Sequence, residues 1–290
     1  MKSHPFHIPK PQGERLIVQE DRLPKFYGKY HRHTEIQISL VQRGAGKLIV
    51  SGSVHPFGPG ELFVIGGGVP HVFQHEDGSG PCQMLSLFFG MDSFGTDFFG
   101  LPDLEGLDAF FDRAQGSFRL APENADLAGI MTQFPGLGRT ERFIRFLGLL
   151  HVLAQAPKEI LHQHHMTQFL SPVAGERLKD VMEHVMQHYQ APIALDKVAA
   201  LACMTPSSFS RFFKKRTNKT FMQFVLELRV AHACQLLSTH LDMPIYEAAE
   251  RSGFSTLSHF NRKFKSIKGC TPRHFLKKQR KMTLAQAHRR

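Results

Sequence analysis

Apolar residues follow two different periods along the chain, and the change from one to the other divides it. From Tyr27 to Phe89 they come in short β-type runs punctuated by glycine: EIQISLV, KLIVSG, ELFVIGGG, HVFQ and QMLSLFF. Short runs at close spacing with Gly-rich turns predict an all-β sandwich or barrel. The first run alternates with period two. His31, His33, Glu35, Gln37 and Ser39 fall on one face of an extended strand, and Thr34, Ile36, Ile38 and Leu40 on the other.

From Asp103 the period moves towards 3.6. Pro122 and Glu123, followed by Asp126, Leu127, Ile130 and Met131, predict a helix opened by proline with acids in its first turn. TERFIRFLGLLHVLAQAP predicts another, packed on the barrel. Its apolar positions Phe143, Ile144, Leu147, Leu150 and Val152 to Ala154 form a band wider than the ~100° stripe one core face requires, so part of it is expected to be a subunit interface. Pro157, Pro172, Gly175 and a polar His/Gln stretch then interrupt both periods. This places a linker at 157–175 between a domain of residues 1–156 and a second of 176–290. His162, His164 and His165 read as solvated linker.

Past the linker, Leu178, Val181, Met182, Val185, Met186 and Tyr189 predict a leading helix, and a helical pattern is then written twice. Ala199, Phe209, Arg211, Phe213 and Lys214 are answered by Ala249, Phe260, Arg262, Phe264 and Lys265. In each copy a short apolar helix breaks at a turn, and a second helix starts from Thr or Ser. Thr205 before Pro206 is a cap followed by proline at the first helical position, and Ser255 is expected to cap the second copy. Phe209, Phe212 and Phe213 face inward in the first copy; Phe260 and Phe264, with Leu257, anchor the other. The pattern is a tandem helix-turn-helix, and the fold class is α+β in two domains.

Charge separates the halves more sharply than periodicity does. Of a formal net charge of +11, residues 1–172 hold 15 Lys+Arg against 17 Asp+Glu, and residues 173–290 hold 21 against 8. The basic excess lies wholly in the half that carries the repeat, as expected of a surface that neutralises phosphates. Cys82, Cys203, Cys234 and Cys270 form no Cys-x-x-Cys pair, which argues against a zinc ribbon or a disulfide framework and for a reducing cytoplasm. No apolar run has the length of a signal peptide or a bilayer span, so the charge points to nucleic acid rather than lipid.

On the first repeat helix Ser207, Ser210, Arg211, Lys214 and Lys215 are left outward, and on the second Ser255, Ser258, His259 and Arg262 share a face. Hydroxyl, imidazole and guanidinium groups suit base edges in a major groove, whereas Lys214, Lys215, Lys263, Lys265 and Lys268 suit phosphates. A single lysine-rich helix face is usually only solvated. Two in register, with matching aromatic anchors, point to double-stranded DNA.

Residues 20–90, through YHRHTEIQISLVQRGAGKLIV and PFGPGELFVIGGGVPHVF, resemble the cupin domains at the front of bacterial regulators. In cupins a His-x-His and a later His point into the barrel and in the enzymes bind metal; His31, His33 and His71 match. The usual metal-binding pattern has its Glu about four residues after the second His, whereas Glu35 lies two after His33. These residues, with Gln37, are therefore read as polar groups contacting a small effector, with no metal or other cofactor. Residues 176–278 resemble the AraC/XylS family through FMQFVLELRVAHACQLL, with Arg229, Ala233, Leu236 and Leu237, and through Gly253, Phe254, Phe260, Phe264, Gly269, Pro272 and Phe275. Cys203 stands where the family often has a turn glycine, and Leu276 where it commonly has Arg. The resemblance implies a cytoplasmic, effector-controlled transcription regulator, an activator acting as a homodimer with RNA polymerase as a partner, and not an enzyme. A metal-dependent cupin enzyme with a nucleic-acid-binding tail and a ligand-independent regulator are the alternatives.

Overall fold

A computed structural model describes residues 8, 13–76, 78–120, 125–162 and 172–287. The chain forms two compact units, residues 1–51 with 57–169 and residues 170–290 with 52–56.

In the first unit, β1 (Ile17–Leu23), β2 (Ile36–Arg43), β5 (Leu62–Ile65), β7 (Cys82–Phe89), β8 (Phe118–Leu120) and β9 (Lys158–Ile160) build a six-stranded sheet in the order β1-β7-β2-β5-β8-β9. The strands β3 (Gly46–Val50), β4 (Ser53–Phe57) and β6 (His71–His75) build a second sheet in the order β4-β3-β6. Both faces of β2 are buried. Ile36, Ile38 and Leu40 join Val64, Leu85 and Leu87 in a core shared with the helices α1 (Asp108–Gln115), α2 (Ala125–Gln133) and α3 (Arg139–Gln155). On the other face, Val41 joins Leu48, Val50, Phe57, Phe63 and Phe73, a cluster drawn from both sheets. Phe57, Phe63 and Phe73 meet edge-on at 5.3 to 6.3 Å between ring centres, so this part of the interior is filled by aromatic packing.

Two expectations need correction. Residues 158–160, read as the start of the linker, form β9, paired with β8 through Phe118 and Ile160. His162 is buried rather than solvated; His164 and His165 lie outside the described residues. On α3 the buried positions are Phe146, Leu149, Leu150, Leu153 and Ala154, while Ile144 is 64% and Val152 40% exposed. The helix opened by Pro122 is described only from Ala125.

The second unit is helical: α4 (Pro172–His188), α5 (Leu195–Leu201), α6 (Pro206–Thr217), α7 (Phe221–Thr239), α8 (Ile245–Arg251), α9 (Leu257–Lys268) and α10 (Pro272–Ala287). The side chains expected on the inner face of α4 are all buried, as is Tyr189 beyond its end. Thr220 and Gln223 start α7 with a capping box, each side chain bonding the other's backbone N–H at 3.2 and 2.9 Å. Thirteen of the 19 residues of α7 are buried, because α6, α8, α9 and α10 pack around it.

Candidate nucleic-acid interface and barrel cluster

The two helix-turn-helix copies are built by the same local bonds. Both α5 and α8 close through a residue with positive φ, Cys203 at 53° and Gly253 at 87°. Met204 N–H then reaches Ala199 O at 2.9 Å and Phe254 N–H reaches Ala249 O at 3.1 Å, the long bond of a Schellman closure. Glycine is required at the second turn, since a Cβ on Gly253 would stand 2.4 Å from Gln190 O. The recognition helices begin at Thr205, whose hydroxyl accepts from Ser208 N–H, and at Thr256, whose hydroxyl accepts from His259 N–H. Ser255 is therefore not the cap. It lies exposed in a turn one residue longer than its counterpart.

Each recognition helix has 12 residues and ends on a left-handed residue, Asn218 or Gly269. Phe209 and Phe213 are fully buried against Phe221, and Phe260 and Phe264 against Phe254 and Phe275. Two of the expected anchors fall outside this core. Phe212 is half-buried beneath the Arg216 guanidinium at 5.8 Å, and Leu257 is 45% exposed.

Ser207, Ser210, Arg211, Lys214 and Lys215 are exposed on α6, as are Ser258, Arg262 and Lys265 on α9, with His259 and Lys263 half-buried. Neither helix contains an acidic residue. Among the described residues none of these Arg and Lys side chains forms an ion pair, so their charge is free to meet a polyanion. Ser210 donates its hydroxyl to Pro206 O at 2.8 Å and keeps acceptor capacity. The His259 ring packs on Phe254 at 5.7 Å. Its pKa is held down by burial, and next by the charges of Arg262, Lys263 and Arg229, which favours the neutral imidazole.

In the barrel, His33, Gln37 and His71 are buried together, and His31 pairs with His71 backbone to backbone at the edge of the cluster. The Nδ1 atoms of His31, His33 and His71 face the carbonyls of Lys29, Glu35 and Val69 at 2.8, 3.0 and 2.9 Å. Gln37 Oε1 lies 3.1 Å from Nε2 of both His33 and His71, and Gln37 Nε2 donates to Ser39 Oγ at 2.7 Å. Burial lowers the pKa of both rings, that of His71 well below its ordinary value, which favours the neutral imidazole in each. A neutral ring that donates from Nδ1 has only a lone pair at Nε2. Turned through 180°, the Gln37 amide satisfies both rings with its two N–H groups, while its oxygen accepts from Ser39. Ser39 meets Ser86 at 2.7 Å, and the antiparallel register places these two residues opposite each other. Ser39 lies on the polar face already read from the sequence, but neither Ser86 nor the bridging role of Gln37 stands out there, because each depends on strand pairing.

Glu35 stands beside this cluster rather than in it, its carboxylate 3.7 Å from His33 Nδ1. The donor nitrogens of His31, His33 and His71 lie within 4.8 Å of one another. A tetrahedral ion at about 2.1 Å needs donors about 3.4 Å apart. The imidazoles thus fit a divalent metal in type, at separations wider than that spacing; such an ion would polarise a bound oxygen ligand. The fourth contact within reach is the neutral Gln37 amide, four residues after His33, at the position the metal-binding cupin pattern gives to Glu.

Comparison with known proteins gives a helix-turn-helix domain at residues 198–278 and a cupin domain at residues 22–88. Both domains are similar to those of AraC-family regulators. It is similar to the arabinose operon regulatory protein of Salmonella typhimurium, 24% identical over 82% of each chain. It is also similar to the HTH-type transcriptional activator RhaS of Salmonella schwarzengrund, 23% identical over 91% of this chain and 92% of RhaS. Among solved structures, the DNA-binding domain of AdpA in complex with a target DNA is 26% identical over 37% of this chain and 95% of that chain, with a TM-score of 0.35. The chain is a DNA-binding transcription regulator, and the relatives named are regulators, not enzymes. No described helix is long and apolar enough to cross a membrane.

Proposed function

We propose that the chain is a cytoplasmic, homodimeric transcription activator that reads two successive major grooves with α6 and α9 and responds to a small molecule held in its barrel. The observation that carries the reading is the matched pair Arg211 and Arg262, each exposed at the sixth position of a threonine-capped helix of 12 residues. Ser207, Ser210, Arg211, Ser258, His259 and Arg262 meet base edges, with Ser255 beside them in the turn; Lys214, Lys215, Lys263 and Lys265 meet phosphates. The 19 residues of α7 span about 28 Å, a length suited to holding two recognition helices over grooves about 34 Å apart.

The effector reading rests on the barrel cluster, where His31 is partly exposed while His33, Gln37 and His71 are buried behind it. A polar ligand entering past His31 exchanges hydrogen bonds with the Gln37 amide. The exposed Ile144 and Val152 of α3 support a dimer contact, and a dimer brings four grooves under control at one promoter beside RNA polymerase.

Selection of bound fragments from random duplex DNA by the full-length chain, followed by footprinting, tests the reading. Two protected segments one helical turn apart for each bound protomer are expected. Enrichment of no sequence, or a single protected segment, would exclude two-groove recognition.

A further inference from the structure

Outside the barrel, a pocket of about 420 Å³ opens where the chain entering β1 passes the N-terminal end of α3. That volume is within the range of small-molecule sites. Its body is aromatic. Phe94, Phe98 and Phe143 form a triangle with ring centres 4.9 to 5.7 Å apart, and Leu16 adds a buried aliphatic wall.

Cations from two directions line the same space. Arg15 comes from the entering strand, and Arg139 and Arg142 come from the first turn of α3. A helix N-terminus carries partial positive charge, so two arginines there run against the usual preference for acids, and the one acid of that turn, Glu141, pairs with Arg145. Gly138, the residue before the helix, supplies no side-chain cap. Glu14 is the single carboxylate in the lining, and it meets Arg142 Nη1 only at 3.5 Å, longer than the about 2.7–2.9 Å of a charge-assisted bond. Arg142 Nη2 donates to Leu137 O at 3.1 Å, while its buried Nε has no hydrogen-bond partner among the described residues. Arg139 forms no ion pair among the described residues. Positive charge beside an apolar cage, with a buried donor left unused, is the complement of an amphipathic anion.

We propose that this pocket binds a small carboxylic acid with an apolar body, its carboxylate taken by Arg139 and Arg142 and its alkyl or aryl part seated among Phe94, Phe98 and Phe143. The site is separate from the His31, His33 and His71 cluster and does not rest on the DNA-binding reading. Binding there bears on α3, whose exposed Ile144 follows Phe143 directly, so an occupied pocket is placed to influence contacts made by that helix.

Titration calorimetry of the full-length chain without DNA, using octanoate, trans-cinnamate and octanamide as probes, tests this. One carboxylate per chain is expected to bind, with octanamide at least about tenfold weaker because it lacks the charge. The preference between octanoate and cinnamate tells an alkyl from an aryl body. Arg142 also holds the Leu137 carbonyl, so the exposed Arg139 gives the variant that spares the fold. Arg139→Gln is expected to weaken octanoate about tenfold and leave octanamide unchanged, and Glu14→Gln to strengthen octanoate by removing a competing carboxylate. The chain contains no Trp, so Phe98→Trp supplies a single emission reporter that octanoate should shift over the same concentration range. Equal affinity for octanoate and octanamide, unchanged affinity in Arg139→Gln, silent Phe98→Trp emission, or no heat at millimolar probe would each overturn the proposal.

Discussion

Thr205 and Thr256 do the same work in the two recognition helices: each hydroxyl accepts the backbone N–H three residues on, from Ser208 at 3.4 Å and from His259 at 3.3 Å. The shared start puts Arg211 and Arg262 at one helical position and Lys214 and Lys265 at another, one turn further on. Removing either cap should loosen the helix that it starts. Thr256→Ala is expected to lower stability by about 1 kcal/mol and to weaken specific DNA binding more than binding to random DNA. Urea unfolding and paired titrations on selected and random duplexes measure both, and unchanged values would show that the cap contributes nothing to the reading surface.

The arginine and the lysine one turn apart divide specificity from affinity. Arg262→Ala should cost about 1–3 kcal/mol on the selected site and relax preference at one base pair. Lys265→Ala should weaken all duplexes alike and reduce the salt slope of binding by about one. Equal losses on specific and random DNA for Arg262→Ala would remove it from the base-reading set.

Cys203 holds a left-handed conformation that its counterpart Gly253 adopts without a Cβ. A side chain in that region costs about 1–2 kcal/mol, and glycine returns part of the gain through greater freedom when unfolded. Cys203→Gly is therefore expected to stabilise the helical unit by about 0.5–1 kcal/mol. A lower unfolding midpoint would mean that the Cys203 thiol makes a contact worth more than the strain.

The doubled helices were legible because their signals are local: aromatic anchors at i and i+4, a threonine or serine before each helix, and basic residues beyond. What misplaced the second cap was the repeat length. Cys203 matches Gly253 at an offset of 50 residues, but Thr205 matches Thr256 at 51, and the extra residue is Ser255. The strands β1, β4 and β9 escaped notice because they are sheet edges, carrying Gln19, Glu20, Asp21 and Arg22, Pro56, and Lys158 and Glu159 where an inner strand carries apolar residues. The alternation from His31 to Ser39 holds only from Ile36, where β2 begins, since Thr34 and Glu35 lie in a bend with Thr34 exposed; within β2 both faces are buried, which only the two-sheet arrangement with its covering helices can produce. The arginine pocket joins residues 13–16, 94–98 and 139–143, and no periodicity links segments that far apart.

Gln37 occupies the station where the metal-binding pattern has Glu, and this makes the barrel cluster testable by one atom. Gln37→Glu replaces a neutral amide by a carboxylate within reach of His33 and His71, completing a three-imidazole, one-carboxylate donor set. The variant, dialysed against cobalt or manganese and then exhaustively washed, is expected to retain about one ion per chain and at least about tenfold more than the parent chain. Equal retention by parent and variant, measured by elemental analysis, would show that the amide does not decide metal binding at this cluster.

Lys47 sets a pH dependence of the same sense as acid unfolding, stability rising with pH, but in the alkaline range. It lies on β3, 6% exposed, and burial pushes its ammonium down to about 8, with Glu76 opposing. Between about 8 and the ordinary value of 10.5 the unfolded chain binds more protons at this site than the folded one, so stability rises with pH across that window. Below it both states are protonated, and the folded barrel bears a penalty of order 3 kcal/mol. Lys47→Met keeps the stem and removes the charge. It should be the more stable chain at pH 7, with an advantage that shrinks as pH is raised from 8 towards 10. Urea midpoints of the parent and Lys47→Met chains at pH 7, 8.5 and 10 measure that difference directly, and subtraction removes the titration of every other group. A parent chain more stable than Lys47→Met at pH 7 would mean that the polar partners of the ammonium outweigh its desolvation.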